Sequence, residues 1–287
     1  MQARTAGIIP ARNHESFVYS AIASLAIQAD EVIVVDDASE DNTWSEIARA
    51  CFDYPNARSF RNTTRLGVSQ TTNKAVAQSN ASVLFFSGSD DESIPDRVMQ
   101  QAGKLENPKI ALVGSLPIVI NGLGLTMSLS EAPEFQIPSD GSEALVKLFF
   151  DGNIVCGPSV AMPRRIWSAL GGLRSDLPNL QDYDLWLRAG LLGQIVIESE
   201  PVVRYRKHSD NLSGSKLRMS SEGMQARNDE ENSILWDFLD GLSLSQLQDL
   251  LGSWISSGLK IDGLSKQDLM SVIQNAHPRM KSRFKSI

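Results

Sequence analysis

The sequence of 287 residues is poor in cysteine and in net positive charge, and each shortage excludes a class of protein. Only two cysteines occur, Cys51 and Cys156, and they form no CxxC pair, so a disulfide framework or a structural zinc site is not expected. The formal net charge of -7 argues against a general nucleic-acid-binding protein, which normally has a basic face. Hydrophobic residues make up 42% and charged residues 21%, which is the balance of a folded globular chain.

Long apolar runs are also missing. The longest one, residues 110–125, is interrupted by glycine, proline and asparagine and is too short to span a bilayer. The N-terminus lacks both a long apolar region and a small-residue cleavage site, so no signal peptide is expected and a cytoplasmic location is predicted. Peripheral contact with the inner face of the membrane stays open because the C-terminal end is basic, at Arg279, Lys281, Arg283 and Lys285. A solvated helix face is the favoured interpretation of that end.

The nucleotide-binding motifs of several other enzyme classes do not occur. No G-x-G-x-x-G follows the first predicted strand, which disfavours a dinucleotide-dependent oxidoreductase, and no G-x-x-x-x-G-K-[ST] is present, which disfavours a P-loop hydrolase. A sugar nucleotidyltransferase would need a glycine-rich triphosphate loop after the first strand. Residues 10–14, Pro-Ala-Arg-Asn-His, contain no glycine.

Short apolar runs alternate with amphipathic stretches through the first half of the chain, which is typical of βαβ units. Strands are predicted at residues 6–9, 31–35, 57–61, 82–87 and 110–114, and helices at 15–28, 43–50, 67–79 and 95–105. The fold class is therefore α/β, with an open, mostly parallel sheet flanked by helices. The pattern becomes helical from about residue 213, which predicts a main domain over residues 1–212 and an α-helical C-terminal extension over residues 213–287.

Two acidic pairs, Asp36-Asp37 and Asp90-Asp91, each come directly after a predicted strand. Right-handed crossovers place the carboxyl ends of parallel strands at one edge of the sheet, and ligands bind at that edge. We therefore expect both pairs to face the same crevice.

Four motifs follow one another in a fixed order, at residues 9–15 (IPARNHE), 34–43 (VVDDASEDNT), 89–91 (SDD) and 181–188 (QDYDLWLR). In this order and at this spacing the chain resembles family 2 of the glycosyltransferases, over roughly residues 5–210. The resemblance implies the GT-A fold and inverting, metal-dependent transfer of a sugar from a nucleoside-diphosphate sugar, with a UDP-type donor favoured. It also implies a saccharide or lipid-linked acceptor hydroxyl and a role in surface polysaccharide or glycolipid assembly. A homo-oligomer stays open.

The resemblance places the nucleotide-sugar contacts in loops at the ends of strands. Asp37 matches the position that bonds the nucleobase or ribose, and a carboxylate can accept a hydrogen bond from an imide N–H or a hydroxyl. Capping of the helix that begins near Thr43 is the alternative role for the acidic pair. The expected contacts are Pro10, Ala11, Arg12, Asn13, Asp37, Ser89, Asp90 and Arg206.

Ser89-Asp90-Asp91 matches the metal-binding turn of the family, and its oxygen ligands suit Mn²⁺ or Mg²⁺. Asp90 is the first candidate ligand and Asp91 the second. His208 matches a histidine near the metal, and Arg206 could clamp phosphate oxygens. Solvated polar segments are the alternative. The chain departs from the commoner Asp-x-Asp form of this turn, because Gly88 occupies the place of the first acid. His14 is interpreted as a residue at the start of a helix and not as a ligand.

Asp182 matches the general base of the family, which takes the proton of the acceptor hydroxyl as the new bond forms. Gln181 stands where the family often has an acid and cannot take a proton, so the catalytic role falls on Asp182. Capping of the following helix is compatible with that role. Trp186 could contact an acceptor sugar, although core packing is the ordinary role of tryptophan. The departures at Gly88 and Gln181 support a second hypothesis, a catalytically weak homologue that binds nucleotide sugars or acts as a scaffolding subunit.

Overall fold

A computed structural model describes residues 4–135, 137, 143–208, 220–254 and 264–276. The strands in this part of the chain are β1 Thr5–Ala11, β2 Glu31–Asp36, β3 Ala57–Arg61, β4 Val83–Phe86, β5 Glu92–Ser93, β6 Ile110–Ser115, β7 Ile118–Asn121, β8 Ala161–Pro163, β9 Gln194–Glu198 and β10 Val203–Lys207. The helices are α1 Val18–Ala26, α2 Thr43–Asp53, α3 Val68–Ala77, α4 Arg97–Leu105, α5 Glu143–Asp151, α6 Arg164–Leu170, α7 Gln181–Gly190, α8 Ser221–Gly241, α9 Leu244–Trp254 and α10 Lys266–Ala276.

Seven strands form the main sheet in the order β3-β2-β1-β4-β8-β6-β9. The β3-β2-β1-β4 part is parallel throughout, β6 and β9 are parallel to each other, and β8 runs antiparallel to both of its neighbours. The open, mostly parallel α/β sheet predicted from the sequence is confirmed. The parallel arrangement brings the carboxyl ends of β1, β2 and β4 to one edge, where the functional motifs lie.

The apolar runs of the central strands form strands that are covered on both faces. Along β2, Ile33 and Val35 belong to one buried cluster and Val32 and Val34 to the other, because successive side chains of a strand point to opposite faces. Helices α1, α2 and α4 cover one face, and α3, α5, α6 and α7 the other. Burial on both faces explains why this strand is a continuous β-branched run rather than an alternating one.

A second, three-stranded sheet has the order β5-β10-β7 and stands beside the carboxyl end of β4. Strand β10 pairs antiparallel with β5 and parallel with β7, with Arg206 opposite Ile120. The chain turns back after β7, where the N–H of Asn121 donates to the carbonyl of Leu125. This small sheet carries the residues that follow the SDD motif and those that precede His208.

The C-terminal helices α8 and α9 pack on α7 and α5, which cover the main sheet, and α10 packs on α9. Their apolar residues, including Phe238, Leu251 and Ile273, belong to the same buried cluster as Ile8 and Leu84 of the sheet. The domain boundary predicted at about residue 212 and the basic residues from Arg279 onward lie outside the described part of the chain. Within that part, none of the helices is long and apolar enough to cross a membrane.

Candidate active site

A cleft of about 660 Å³ opens at the carboxyl ends of β1, β2 and β4. Most of the residues predicted to contact a nucleotide sugar line it, together with the predicted base and both carboxylates of the SDD turn: Pro10, Ala11, Arg12, Asn13, Asp37, Ser89, Asp90, Asp91 and Asp182. Asp90 and Asp182 therefore face one cavity although they lie far apart in the sequence. Arg206, by contrast, is not among the lining residues.

Asp37 holds the loop that precedes α3. Its Oδ1 accepts hydrogen bonds from the backbone N–H of Leu66 at 2.7 Å and from Nδ2 of Asn62 at 2.9 Å, and its Oδ2 accepts from the N–H of Gly67 at 2.9 Å. Burial alone would raise the pKa of Asp37, but these bonds outweigh it and lower the pKa below the ordinary carboxyl value. The ionised carboxylate lines the cleft and can accept hydrogen bonds only, so a ligand that meets it there must present a donor.

The other acid of that pair has a structural role. Asp36 is fully buried, and its carboxylate accepts from Nε of Arg61 at 2.9 Å and from the hydroxyl of Ser39. Of the two acids after β2, Asp37 alone lines the cleft. The cap of α2 comes from Asp41, whose Oδ1 accepts from the N–H of Thr43 at 3.0 Å.

Arg12 ties the loop after β1 to the loop after β2. Its Nη1 donates to the carbonyl oxygens of Asp37 at 2.7 Å and Ala38 at 2.9 Å. Both loops contain a residue in the left-handed region, Asn13 with φ 51° and Ala38 with φ 54°, a conformation that is strained for alanine. The Arg12 guanidinium thus holds together two loops at the cleft, each of which contains a residue with a strained backbone.

Three side chains near the SDD turn form a group that could hold a metal ion. One ring nitrogen each from His14 and His208 and one carboxylate oxygen of Asp90 all lie within 4.8 Å of one another. Nε2 of His208 is 3.0 Å from Oδ2 of Asp90, and Nδ1 of His14 is 2.7 Å from the hydroxyl of Ser89. Two imidazoles and a carboxylate are ligands that divalent cations accept, so the side chains fit such an ion.

Asp91 and Arg206, also predicted as site residues, lie beside this group and not within it. The Oδ1 of Asp91 accepts from the backbone N–H of Arg206 at 2.8 Å, and burial followed by the charge of Asp90 raises the pKa of Asp91 well above its ordinary value. The guanidinium of Arg206 donates to the carbonyls of Asp90 and Asn121 and to the carboxylate of Glu92. These bonds fix the position of the SDD turn relative to β10 and β5.

Asp182 stands in the first turn of α7, on the far wall of the cleft. The N-cap of this helix is Leu180, so Asp182 is the second helical residue and not the cap. Its Oδ1 accepts from the backbone N–H of Tyr183 at 2.8 Å, and its Oδ2 accepts from Nδ2 of Asn153 at 3.1 Å. The two bonds orient the carboxylate, which a proton acceptor in the cleft requires.

Two polar atoms of the cleft wall are buried without a hydrogen-bond partner in the described structure. They are Oε1 of Gln181 and the indole Nε1 of Trp186. Both residues line the cleft, and Trp186 is only 3% exposed. Such atoms are rare in folded proteins and are expected to pair with a ligand or an ordered water.

His14 belongs to the group that could hold a metal ion, although the sequence pattern predicts only a residue at the start of a helix. Its backbone does precede a helix, since its carbonyl accepts from Phe17 and Val18, but α1 begins only at Val18. The left-handed turn at Asn13 directs the imidazole of His14 toward Ser89 and Asp90. The composition of the chain offered a signal, because only three histidines occur. His14 lies inside the first motif, and His208 occupies the position that resembles a histidine near the metal.

Comparison with known proteins agrees with the geometry. The profile of glycosyl transferase family 2 matches residues 8–170, more than half of the chain, and the protein belongs to this family. An uncharacterized glycosyltransferase of Rickettsia conorii is 25% identical over 253 residues, which is 86% of this chain and 40% of the relative. The chain thus spans about two fifths of the length of that relative.

Solved structures of two glycosyltransferase-like proteins share the fold, which is of the GT-A type. Staphylococcus aureus TarS, residues 1–349, in complex with UDP-GlcNAc has a TM-score of 0.60 at 18% identity, covering 98% of this chain and 89% of the other. The mannosyltransferase PcManGT from Pyrobaculum calidifontis, in complex with GDP-Man and Mn²⁺, has a TM-score of 0.56 at 16% identity, covering 99% and 73%.

Proposed function

We propose that this protein transfers a sugar from a nucleoside-diphosphate sugar to an acceptor hydroxyl with inversion at the anomeric carbon. The observation that carries the proposal is the shared cleft, in which Asp90, with two histidines beside it, lies on one wall and Asp182 on another. A site of this kind provides for both the leaving diphosphate and the proton that the acceptor hydroxyl loses.

The donor binds along the strand ends. Pro10 to Asn13 and Asp37 line the cleft at the ends of β1 and β2, which supports this part of the cleft as the nucleoside site. The carboxylate of Asp37 is a suitable acceptor for an N–H or hydroxyl group of the donor. The diphosphate then lies toward Ser89 and Asp90. Complexes of TarS with UDP-GlcNAc and of PcManGT with GDP-Man support a nucleotide sugar as the ligand, and a UDP-type donor is the first to test.

His14, Asp90 and His208 would hold the divalent cation, and a bound cation would neutralise the charge of the diphosphate leaving group. The presence of Mn²⁺ in the PcManGT complex supports Mn²⁺ as the first ion to test. Asp91 and Arg206 keep the turn that carries Asp90 in place through the bonds described above.

Asp182 acts as the general base. The acceptor oxygen attacks the anomeric carbon, the bond from that carbon to the diphosphate oxygen breaks, and the hydroxyl proton passes to the Asp182 carboxylate. Asn153 and the N–H of Tyr183 hold this carboxylate toward the cleft. The acceptor is a saccharide or lipid-linked hydroxyl, in the assembly of a surface polysaccharide or glycolipid.

The test compares the wild-type protein with Asp182→Asn, using UDP-GlcNAc and GDP-Man with Mn²⁺ and measuring release of nucleoside diphosphate and the anomeric configuration of the product. We expect Asp182→Asn to lower turnover by about 10²- to 10⁴-fold, the usual contribution of a general base, with donor affinity unchanged. Glu106→Gln, which alters an exposed carboxylate after α4, is the control and should behave as wild type.

Three results would contradict parts of the proposal. Wild-type turnover by Asp182→Asn would remove the base, and a product with retained configuration would exclude inversion. Binding of a nucleotide sugar without turnover by the wild type would favour the weak, ligand-binding homologue. Binding of neither nucleotide sugar would end the proposal for these two donors.

A further inference from the structure

Helix α7, which carries Asp182, begins without a capping side chain of its own. Its N-cap residue is Leu180, which has no polar side chain, and within the first turn the N–H of Tyr183 donates to Asp182. Leu180 is 3% exposed, so water is a poor substitute. The segment that leads into the helix therefore needs an acceptor from another part of the molecule.

Glu230 of α8 provides this acceptor. Its Oε1 accepts from the backbone N–H of Asn179 at 2.8 Å and from that of Leu180 at 2.7 Å. Its Oε2 accepts from the side-chain amide of Asn179 at 2.8 Å. One carboxylate thus fixes the backbone of Asn179 and Leu180, just before the helix, and the side chain of Asn179. A negative charge near a helix N-terminus is also favourable in itself.

A second contact holds the preceding loop from the same helix. Asp237 lies two turns after Glu230 on α8, and its Oδ2 accepts from Nη1 of Arg174 at 2.7 Å. Nη1 of Arg174 is also 3.7 Å from Oδ1 of Asp184, in the first turn of α7. Helix α8 therefore contacts the connection between α6 and α7 at two places, through Glu230 at Asn179 and through Asp237 at Arg174.

We propose that Glu230 is a positioning residue for the transfer reaction. It holds residues 179–182 so that the Asp182 carboxylate meets the acceptor hydroxyl, and this inference rests on the proposed function. Asn179 and Gln181 line the cleft themselves, so a shift of this segment reaches the reacting groups directly. Asp37 and Asp90 are carried by other elements and bound by other partners. Helix α3 contacts the same connection at Leu173 and Leu177, before the residues that Glu230 holds. We therefore expect donor binding to depend little on Glu230.

Measuring donor binding and turnover separately distinguishes positioning of Asp182 from general stabilisation of the fold. Loss of the carboxylate leaves a buried amide without a partner and lets the start of α7 move. Displacement of a catalytic group by about 1 Å can lower turnover by about 10²-fold. A merely structural residue would instead lower thermal stability and weaken donor binding together with turnover.

The experiment uses Glu230→Ala and Glu230→Gln in the full chain, with Asp229→Ala as the control. Asp229 is the neighbouring residue on α8, is exposed, and bonds only the nearby Gln225 among the contacts seen. In Glu230→Gln the amide oxygen can still accept from both backbone N–H groups, and the Asn179 amide can turn over to accept from the new NH₂ group. We expect this conservative variant to recover most of the activity.

The measurements are hydrolysis of UDP-GlcNAc with Mn²⁺, the Kd of UDP, and amide hydrogen exchange. For Glu230→Ala we expect kcat to fall by about 10- to 100-fold at unchanged Kd, with faster exchange at residues 179–184 and unchanged exchange at residues 83–91. The control should match the wild type in all three.

Unchanged exchange at residues 179–184 in Glu230→Ala would overturn the inference whether or not the protein hydrolyses this donor. Wild-type kcat in that variant would do the same, and so would parallel losses of UDP affinity and turnover. If the wild type neither binds nor hydrolyses a nucleotide sugar, the proposed function fails, and the exchange data still show whether Glu230 fixes the segment.

Discussion

At the scale of single residues, the imidazoles of His14 and His208 decide which cation the site should prefer. Mg²⁺ demands oxygen ligands and keeps most of its waters. Mn²⁺ also suits carboxylate oxygen but belongs to the transition-metal series, whose ions bind imidazole. With two ring nitrogens and one carboxylate within 4.8 Å of one another, the group beside the SDD turn fits Mn²⁺ better. For the proposed metal site we therefore expect Mn²⁺ to bind more tightly than Mg²⁺.

We predict that Mn²⁺ raises the melting temperature of the protein with UDP more than Mg²⁺ does at equal concentration. His14→Ala should weaken the Mn²⁺ effect by about tenfold in apparent affinity, because it removes one of three protein ligands. Thermal-shift titrations with each cation check both points, and Glu106→Gln should respond as wild type. Equal responses to the two cations, or an unchanged Mn²⁺ titration in His14→Ala, would exclude His14 from the site.

The lowered pKa of Asp37 leads to a prediction about how the stability of the protein depends on pH. A carboxyl group whose pKa is lower in the folded state contributes stability above its unfolded pKa, and this contribution is lost as the pH falls through the folded value. Asp37→Asn should therefore lower the free energy of unfolding by about 1–3 kcal/mol near neutral pH, since the N–H donors of Leu66 and Gly67 lose their anionic acceptor.

Urea unfolding at several pH values measures this effect. The difference in unfolding free energy between wild type and Asp37→Asn should shrink as the pH falls below the ordinary carboxyl pKa toward the lowered one. Asp176→Asn is a useful comparison, because the pKa of Asp176 is also lowered, chiefly by Arg174, yet its side chain is exposed and the variant should change stability little. A difference for Asp37→Asn that does not vary with pH would contradict the argument.

At the scale of elements, the turn between β4 and β5 depends on a glycine. A Cβ atom on Gly88 would lie 2.4 Å from Oδ2 of Asp91 and 2.6 Å from Oδ1 of Asp90, closer than atoms can approach. Gly88 therefore allows both carboxylates to fold back over the turn. The departure from the Asp-x-Asp form is part of this arrangement, in which Asp90 meets His208.

We predict that Gly88→Ala displaces the two carboxylates and weakens Mn²⁺ binding by about tenfold or more, with a corresponding loss of turnover. The matched control is Gly103→Ala in α4, where an added Cβ would meet no atom within 4 Å and alanine is the better helix former. Mn²⁺ titration of both variants is the measurement. Wild-type affinity in Gly88→Ala would show that the turn accommodates a side chain by another path.

The elements also show what sequence can and cannot predict here. Strands β1, β2 and β4 follow from apolar runs, and the rule that parallel strands end at one edge then places Asp37 and Asp90 together before any coordinates. Strand β5 could not be found, because Glu92-Ser93 carries no apolar signal and becomes a strand only by pairing with β10. Pairing between strands that lie far apart in the sequence cannot be predicted from the local pattern of residues.

The direction of a side chain is equally hard to predict from pattern. Arg206 was expected to reach phosphate, but the parallel pairing of β10 with β7 and the position of its guanidinium 4.8 Å from the Phe17 ring place it against the backbone of the SDD turn. His14 was expected to start a helix, and the turn at Asn13 determines where its ring goes. Both outcomes depend on backbone geometry that the sequence does not state.

At the scale of the whole molecule, the change of pattern near residue 213 does not correspond to a separate core among the described residues. Phe238 of α8 is 6% exposed and lies 5.7 Å, between ring centroids, from Phe149 of α5, which in turn belongs to the cluster beneath the main sheet. Elements that share one core unfold together. The C-terminal helices should therefore stabilise the sheet as well as hold Asp182 through Glu230.

We predict a single cooperative thermal transition and a loss of about 3–5 kcal/mol of unfolding free energy in Phe238→Ala, because a large buried ring leaves a cavity. Calorimetry and hydrogen exchange of β1 and β2 measure the two parts, since protection of the central strands should fall by the same amount if the core is shared. Leu244→Ala, at a 42% exposed position where α9 begins, is the control and should change little. Two transitions, with only one of them shifted by Phe238→Ala, would mean that the sheet and the C-terminal helices fold independently, and Glu230 would then act across an interface between two units.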